Sequence, residues 1–136
     1  MVLRILVFTV TLWVIASTLV YGDEINETQA VRAIIGEASG EGLQGMTAVA
    51  EAIRNRGHLR GVYGSTARHV DTEPRWVWEL AREAWVNSRV TNLTHGATNW
   101  ENTRAFGEPY WAKSMVKTAE IGSHSFYKNK QKGEVK

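Results

Sequence analysis

The residues best suited to chemistry lie close together, in the segment GEASGEGLQG at positions 36–45. It holds two glutamates, Glu37 and Glu41, and Glu41 stands between Gly40 and Gly42. Because glycine has no β-carbon, a bulky ligand can approach the backbone closely beside such a carboxylate. A carboxylic acid that is half-buried at the end of a helix can donate a proton, which is what protonation of a glycosidic oxygen requires.

The same spacing also has an ordinary explanation. Two carboxylates four positions apart are common on the solvated surface of a helix, and from spacing alone this interpretation is the more frequent one. Glu37 lies one position off the apolar stripe of its helix, near Ile34. The spacing therefore leaves open whether Glu37 is a proton donor or a surface charge.

Tryptophans are numerous for a chain of this length, and they fall into two groups. Trp100 and Trp111 lie in polar, loop-like segments, where they could stack on sugar rings or simply be structural. Trp76 and Trp85 lie on the apolar face of a helical pattern and are expected in the core.

Two polar residues next to Trp100 complete the set of candidate ligands. Thr98 and Asn99 could hydrogen-bond an acetamido group or position a water molecule. Turn-forming polar residues explain them nearly as well, so the residue types alone do not separate the two roles.

Three helices are predicted to position the glutamates. Apolar residues recur at helical spacing over residues 27–39 and again over 43–56. A third helical pattern runs from 73 to 87, with Pro74 suited to its first turn. Residues 57–72 hold several glycines and basic side chains and are predicted to form a loop.

The pattern changes from residue 91 onward to short segments. Residues 97–100, 115–121 and 125–127 are predicted to pair as a small antiparallel sheet, with a turn at Gly122 and Ser123. Helices followed by a small sheet in the C-terminal third predict an α+β domain.

Three blocks of sequence carry a resemblance to a known family. The first is IIGEASGEGLQGMTAVAEAIRNR at 34–56, with Glu37, Gly40, Glu41 and Gly45 in its motif. The later blocks are HGATNWEN, PYWAKSM and IGSHSFYK, at 95–102, 109–115 and 121–128. In this order they resemble the SleB-type cell wall hydrolases, the family that includes spore-cortex-lytic enzymes. Residues 57–88 depart from the family, because a Trp-rich helix replaces its usual aromatic loop, and a spore-cortex role is not supported.

The resemblance implies a mainly helical, lysozyme-like domain and the cleavage of peptidoglycan by an essential glutamate at Glu37. In a lytic transglycosylase of this kind, Glu37 protonates the oxygen between N-acetylmuramic acid and N-acetylglucosamine. The substrate's own C6 hydroxyl then attacks, and Glu37 acts as the base. Glu41 is expected to hold the loop or the substrate. No metal and no organic cofactor is implied, since acid catalysis on an acetal does not require one.

A second catalytic carboxylate is not expected from the sequence. Glu37 and Glu41 leave the same short segment, so they are badly placed to flank a sugar ring from opposite faces. Other acidic residues could supply a partner from elsewhere in the fold, but nothing around them resembles a catalytic site: Asp71, Glu73, Glu101 and Glu108.

Alternative functions in the same compartment remain open. A peptidoglycan-binding module without activity would keep the aromatic and glycine features but would tolerate the loss of Glu37. A hydrolytic muramidase would use water instead of the C6 hydroxyl. An amidase normally needs zinc ligands or a cysteine, whereas this chain has no cysteine and no third ligand near His95 or His124 at a helpful spacing.

The N-terminus predicts export. Arg4 precedes a largely apolar, uncharged run at residues 5–20, which is shorter than the ~20 residues of a spanning helix. We predict a signal peptide at residues 1–22, or an uncleaved membrane anchor, followed by a catalytic domain at 23–136. The destination is the periplasm, cell envelope or exterior of a bacterium, or of the host of a phage. Membrane association would occur through residues 5–20.

Composition restricts the partners. The chain has 136 residues, a formal net charge of +2 and no cysteine. Its length fits one domain, and so small a charge does not by itself hold a protein to nucleic acid. The lack of cysteine excludes disulfides, thiolate zinc sites and cysteine nucleophiles. We therefore expect a monomer that acts on peptidoglycan and does not bind nucleic acid.

Overall fold

The computed structural model describes residues 24–133 of the chain. The predicted signal peptide or anchor at residues 1–22 lies outside the described residues. Among the helices that are described, none combines the length and the apolar character needed to cross a membrane.

Three helices form the larger part of the domain. Helix α1 spans Glu27–Ala38, α2 spans Gly42–Arg56 and α3 spans Arg75–Asn87, close to the predicted bounds. The side chain of Asn26 caps α1 by accepting a hydrogen bond from a backbone N–H in the first turn. Helix α2 ends at Gly57 with a φ of 78°, a left-handed conformation that glycine adopts without strain.

The helices pack around a core of branched and small side chains. Its largest aliphatic members on α1 and α2 are fully buried: Ile34, Ile35, Met46, Val49 and Ile53. On α3 the core face is narrower than its apolar pattern suggests, since Val77 and Trp85 are buried but Trp76 is 61% exposed. The expectation that Trp76 lies in the core is therefore wrong. Trp76 lies at the margin of the stripe in the first turn of α3, where the packed neighbours do not cover it.

Residues 57–72, predicted as a loop, contain two short 3₁₀ helices, at Tyr63–Thr66 and Arg68–Thr72. The first of them lies so close to α1 that a β-carbon at Gly36 would overlap the backbone of Gly64. Arg32 of α1 adds a hydrogen bond to the Ser65 carbonyl at 3.1 Å. Two glycines thus allow the backbones to touch, and this contact brings residue 64 to the end of α1.

The C-terminal third forms a three-stranded antiparallel sheet. Strand β1 is Asn99–Glu101, β2 is Met115–Ile121 and β3 is His124–Asn129, in the spatial order β1-β3-β2. A short helix α4 at Thr103–Phe106 and a 3₁₀ helix at Tyr110–Ser114 connect β1 to β2. The predicted α+β class, with its small antiparallel sheet in this third of the chain, is confirmed.

Helix α2 fixes the start of the sheet. The buried carboxylate of Glu51 accepts hydrogen bonds from the N–H groups of Leu93 and Thr94, each at 2.9 Å, and from the Thr94 hydroxyl at 3.0 Å. One turn later, the Asn55 amide donates to the carbonyl of Ala97 at 2.9 Å. These bonds hold the segment before β1 against α2, and they thereby set the position of Trp100.

Candidate active site

Glu37 lies at the C-terminal end of α1, where its carboxylate is held by two distant segments. Oε1 accepts a hydrogen bond from the backbone N–H of Gly64 at 2.9 Å. Oε2 accepts one from the indole N–H of Trp100 at 3.3 Å. Since the donors belong to the first 3₁₀ helix and to β1, both oxygens are oriented only when helices and sheet come together.

A surface groove opens beside Glu37, with a volume of about 430 Å³. This size lies within the range of small-molecule sites. It is lined by residues from α1, α2, residues 57–72, β1 and the 3₁₀ helix Tyr110–Ser114: Glu37, Arg56, Gly61, Tyr63, Asn99, Trp100, Glu101 and Trp111. The structure therefore brings together four residues that the sequence singled out, namely Glu37, Asn99, Trp100 and Trp111.

Arg56, the last residue of α2, also lines the groove, although nothing in the sequence pointed to a role for it. Its guanidinium carbon lies 5.4 Å from the centre of the Trp100 ring. Burial lowers the pKa of Arg56, and the negative charge of Glu37 offsets part of that effect. The guanidinium still keeps its charge at any ordinary pH, so the groove contains a fixed cation beside Glu37.

Aromatic rings form the walls of the groove. Tyr63 projects into solvent, with 81% of its surface exposed. Trp111 packs edge-on against the buried ring of Tyr127, with 5.2 Å between the ring centroids and an interplanar angle of 81°. The orientation of Trp111 is therefore fixed, whereas Tyr63 stands free at the rim.

Glu101 is a second carboxylate in this groove, in a place where the sequence did not lead us to expect one. It is the last residue of β1, opposite Ser125 in the register with β3. Its Oε1 accepts a hydrogen bond from the N–H of Asn102 at 2.9 Å. The signal that the sequence offered was its place next to Trp100, but the pairing of β1 with β3 is needed to show that the two residues share a groove.

Thr98 stands beside the groove and does not line it. Its N–H donates to the Tyr127 carbonyl at 2.9 Å, which extends the contact between β1 and β3. Its hydroxyl donates to Oδ1 of Asn99 at 3.0 Å. Thr98 thus orients the amide of Asn99, which does line the groove.

Glu41 is directed away from this groove, into the turn between β2 and β3. Its Oε2 accepts a hydrogen bond from the N–H of Ser123 at 2.8 Å, and Oε1 lies 3.9 Å from Nδ1 of His124. Burial raises the pKa of Glu41, but the hydrogen bonds from Ser123 and the electrostatic influence of His124 and Arg104 outweigh it, so this pKa lies below its ordinary value. A methyl group at Gly122 would overlap the Glu41 carboxylate. Glu41 therefore joins the start of α2 to the hairpin, and its role as a substrate ligand stays a prediction.

The histidines singled out in the sequence lie apart from Glu37. His124 is buried beside Glu41, and His95 is exposed with a φ of 51°. Within residues 24–133, no three side chains of the His, Asp or Glu type are grouped closely enough to hold a metal ion.

The groove as a whole is suited to acid chemistry on a ligand with apolar faces. It presents one oriented carboxyl group, a second carboxylate, a fixed cation and aromatic rings. Rings of this kind stack on the C–H faces of sugars, and an oriented carboxyl group can transfer a proton to an oxygen within hydrogen-bond reach.

Two solved structures share the fold of this chain. The catalytic domain of the Bacillus cereus SleB protein matches with a TM-score of 0.56 and 24% identity, over 75% of this chain and 89% of that chain. The catalytic domain of the germination-specific lytic transglycosylase SleB from Bacillus anthracis matches with a TM-score of 0.54 and 26% identity, over 79% of this chain and 98% of that one. No protein-family model and no curated protein matches the chain. Both likenesses extend over most of each chain, so they concern the whole domain and not one motif.

Proposed function

We propose, from the premise that this chain has the fold of the SleB-type catalytic domains, that it is a lytic enzyme of the bacterial cell wall. The bond that it cleaves would be the glycosidic bond between N-acetylmuramic acid and N-acetylglucosamine in the glycan strand of peptidoglycan. The observation that carries this proposal is the position of Glu37, which two N–H donors orient at the edge of an aromatic groove.

The first step is a proton transfer. The carboxyl proton of Glu37 passes to the bridging oxygen, and the bond between that oxygen and C1 of the muramic ring breaks. N-acetylglucosamine leaves as an alcohol, and positive charge develops at C1 and the ring oxygen. General acid catalysis of this kind contributes ~10²–10⁴-fold to the rate.

The second step closes a ring within the substrate. The C6 hydroxyl oxygen bonds to C1, and its proton passes to the Glu37 carboxylate, which returns to the acid form. No water is consumed, and the product ends in 1,6-anhydro-N-acetylmuramic acid. The name of the neighbour from Bacillus anthracis, a lytic transglycosylase, supports this path over hydrolysis.

The surroundings of Glu37 support its double use as acid and base. Between the two steps Glu37 is a carboxylate, and the N–H groups of Gly64 and Trp100 hold one oxygen each. Charge-assisted hydrogen bonds of this type are stronger than neutral ones. They keep the carboxylate in place while the leaving sugar is exchanged for the C6 hydroxyl.

The groove walls would hold the glycan strand. Trp100 and Trp111 offer flat rings for the pyranose faces, and the Asn99 amide, fixed by Thr98, suits an acetamido group. Glu41 contributes indirectly in this proposal, because it fixes the hairpin that carries β3.

Analysis of released fragments tests the proposal. Purified protein is incubated with bacterial cell walls, and the soluble muropeptides are identified by mass spectrometry. We expect fragments with 1,6-anhydro ends, one water lighter than the hydrolytic product. Glu37→Gln should abolish their release, while Glu83→Gln, which removes an exposed carboxylate from α3, should not.

The alternative functions give different results in the same assay. Reducing ends would identify a hydrolytic muramidase, and free stem peptides with intact glycan would identify an amidase. A protein that binds walls and releases nothing would be a binding module.

Access to this substrate requires export. We therefore propose that residues 1–22 direct the protein to the periplasm, the envelope or the exterior, where it acts as a monomer. N-terminal sequencing of exported protein should find a chain that starts near Asp23. An intact Met1 would instead favour an enzyme tethered to the membrane through residues 5–20.

A further inference from the structure

The groove contains a carboxylate that the proposed reaction does not use. Glu101 is partly buried in the groove wall, and its Oε1 accepts the N–H of the next residue, Asn102. Within residues 24–133, no protein group donates a hydrogen bond to its other oxygen, Oε2. One carboxylate oxygen is therefore available to whatever occupies the groove.

The two groove carboxylates come from different elements. Glu37 extends from the end of α1 and Glu101 from β1, unlike Glu37 and Glu41, which share one short segment. On β1, Trp100 contacts Glu37, and the next residue, Glu101, lines the same groove. Two carboxylates that enter a groove from separate elements can act on different parts of a sugar ring.

The charges in the groove indicate a role for Glu101. The charged side chains that line it are Glu37, Arg56 and Glu101. The Arg56 guanidinium opposes any positive charge that develops on a bound sugar, and Glu37 gains its full negative charge only as its proton leaves. Glu101 is the groove carboxylate that takes no part in the proton transfer, so its charge can offset the cation throughout the step.

We propose that Glu101, as a carboxylate, stabilises the positive charge that develops at C1 and the ring oxygen when the glycosidic bond breaks. It forms no bond to the sugar and takes up no proton. Its negative charge, and not its ability to accept a hydrogen bond, is what the reaction needs. This inference rests on the proposed function, since it assumes that a glycosidic bond breaks in this groove.

The test compares Glu101→Gln with wild type on soluble glycan strands. Glutamine keeps the size and one acceptor oxygen but removes the charge, so kcat should fall by up to ~10²–10³-fold with little change in KM, as for other preorganised electrostatic groups. The fraction of 1,6-anhydro ends should stay the same. Glu101→Asp, which retains the charge, should recover part of the rate, and Glu83→Gln should match wild type.

A binding measurement gives a second readout that does not depend on turnover. In the inactive Glu37→Gln background, a protonated imino-sugar derivative of N-acetylmuramic acid should bind ~10-fold more weakly when Glu101→Gln is added. The corresponding neutral sugar should bind both variants equally. This comparison also holds if Glu101→Gln lowers the thermal midpoint, provided that both variants are folded at the assay temperature.

Several outcomes would overturn the inference. A wild-type kcat for Glu101→Gln would remove the role altogether, and a rise in KM alone would make Glu101 a substrate ligand. If the wild-type protein also forms reducing ends and Glu101→Gln removes only those, Glu101 is the base that activates water. A sugar adduct on Glu101, seen by intact mass, would make it a nucleophile. If the wild-type protein releases no glycan fragments, the proposed function fails and the inference fails with it. If Glu37→Gln is inactive and Glu101→Gln is not impaired, only the inference fails.

Discussion

Glu37 and Glu41 are four residues apart, yet they lie in opposite kinds of environment. Glu37 is held by the N–H groups of Gly64 and Trp100 at the edge of an open groove. The side chain of Glu41 is only 14% exposed and is held by the N–H of Ser123 in the hairpin turn. One carboxylate faces a space large enough for a ligand, and the other is enclosed by protein.

The two carboxylates have the same residue type and share one motif, so what distinguishes them is the set of groups that surrounds each one. Both side chains accept backbone N–H groups from distant segments. Beside Glu37 there is room for a sugar, whereas beside Glu41 even a methyl group at Gly122 would overlap the carboxylate. We therefore expect changes at Glu37 to affect activity and changes at Glu41 to affect stability.

The largest effect is expected for Glu37→Gln. The amide keeps the size of the side chain but cannot donate a carboxylic proton, so the rate of wall lysis should fall ~10²–10⁴-fold. The free energy of unfolding should also fall, by ~1–3 kcal/mol, because the amide nitrogen cannot accept the second of the two N–H groups that hold the carboxylate. Turbidity loss of a wall suspension measures the rate of lysis, and urea denaturation measures the free energy of unfolding. Lysis at the wild-type rate would show that Glu37 is not the proton donor.

Glu41→Gln should lower the stability without a comparable loss of activity. It weakens a charge-assisted hydrogen bond to Ser123, so the free energy of unfolding at pH 7 should fall by ~1.5–3 kcal/mol. At temperatures where the variant is folded, it should lyse walls at nearly the wild-type rate. If the rate of lysis falls at temperatures where the variant is fully folded, Glu41 takes part in substrate binding as the sequence predicts.

The stability difference between wild type and Glu41→Gln should depend on pH. The pKa of Glu41 in the folded protein lies below the ordinary value of 4.5, so its ionised form is the one that stabilises the fold. This stabilisation is fully present above pH 4.5 and is lost as the pH falls through the lower, folded value. Urea denaturation of both proteins at a series of pH values should show the difference shrinking in acid. A difference that grows there would contradict the assignment.

Gly122→Ala tests how tightly the hairpin encloses Glu41. The φ of 61° costs a residue with a β-carbon ~1–2 kcal/mol, and overlap with the Glu41 carboxylate adds to that cost. In a Glu41→Ala background only the backbone cost should remain. A double-mutant cycle should therefore give a coupling of ~0.5–3 kcal/mol, and strictly additive effects would show that the two residues do not touch.

The smallest effect is expected for Trp100→Phe. Phenylalanine keeps an aromatic ring beside Arg56 but removes the N–H that reaches Glu37 at 3.3 Å. Loss of one long hydrogen bond should lower kcat by ~3–10-fold, with the thermal midpoint nearly unchanged. Trp76→Phe, at an exposed position on α3, is the matched control and should leave kcat unchanged. A Trp100→Phe variant with wild-type kcat would show that Glu37 is positioned without this bond.

Local patterns were enough to predict the three long helices and the three strands, but not the short helices between them. The stripes of α1, α2 and α3 gave their bounds to within a few residues, and Gly122 and Ser123 marked the turn between β2 and β3. These features depend on neighbours in sequence, which is the information that periodicity and turn chemistry contain. Trp76 is the exception, because helical spacing cannot show how wide a face the neighbouring elements cover.

The site was only partly predictable, because its contacts join distant segments. Glu37, Asn99, Trp100 and Trp111 were found from their types and from the family resemblance. Gly64 was not, since its N–H matters only after the first 3₁₀ helix has packed on Gly36. The same reason hid Glu101, Arg56 and Tyr63, whose places in the groove follow from the pairing and packing that close it.

The strand order β1-β3-β2 has a consequence for the timing of assembly. Strand β1, which carries Trp100 and Glu101, pairs only with β3 in the sheet, and β3 is the last strand of the described chain. A ribosome makes the chain from its N-terminus, so β1 has no partner until residues 124–129 have been made. Until then the chain has no assembled groove, so the proposed cleavage of a wall cannot begin before residues 124–129 have been made.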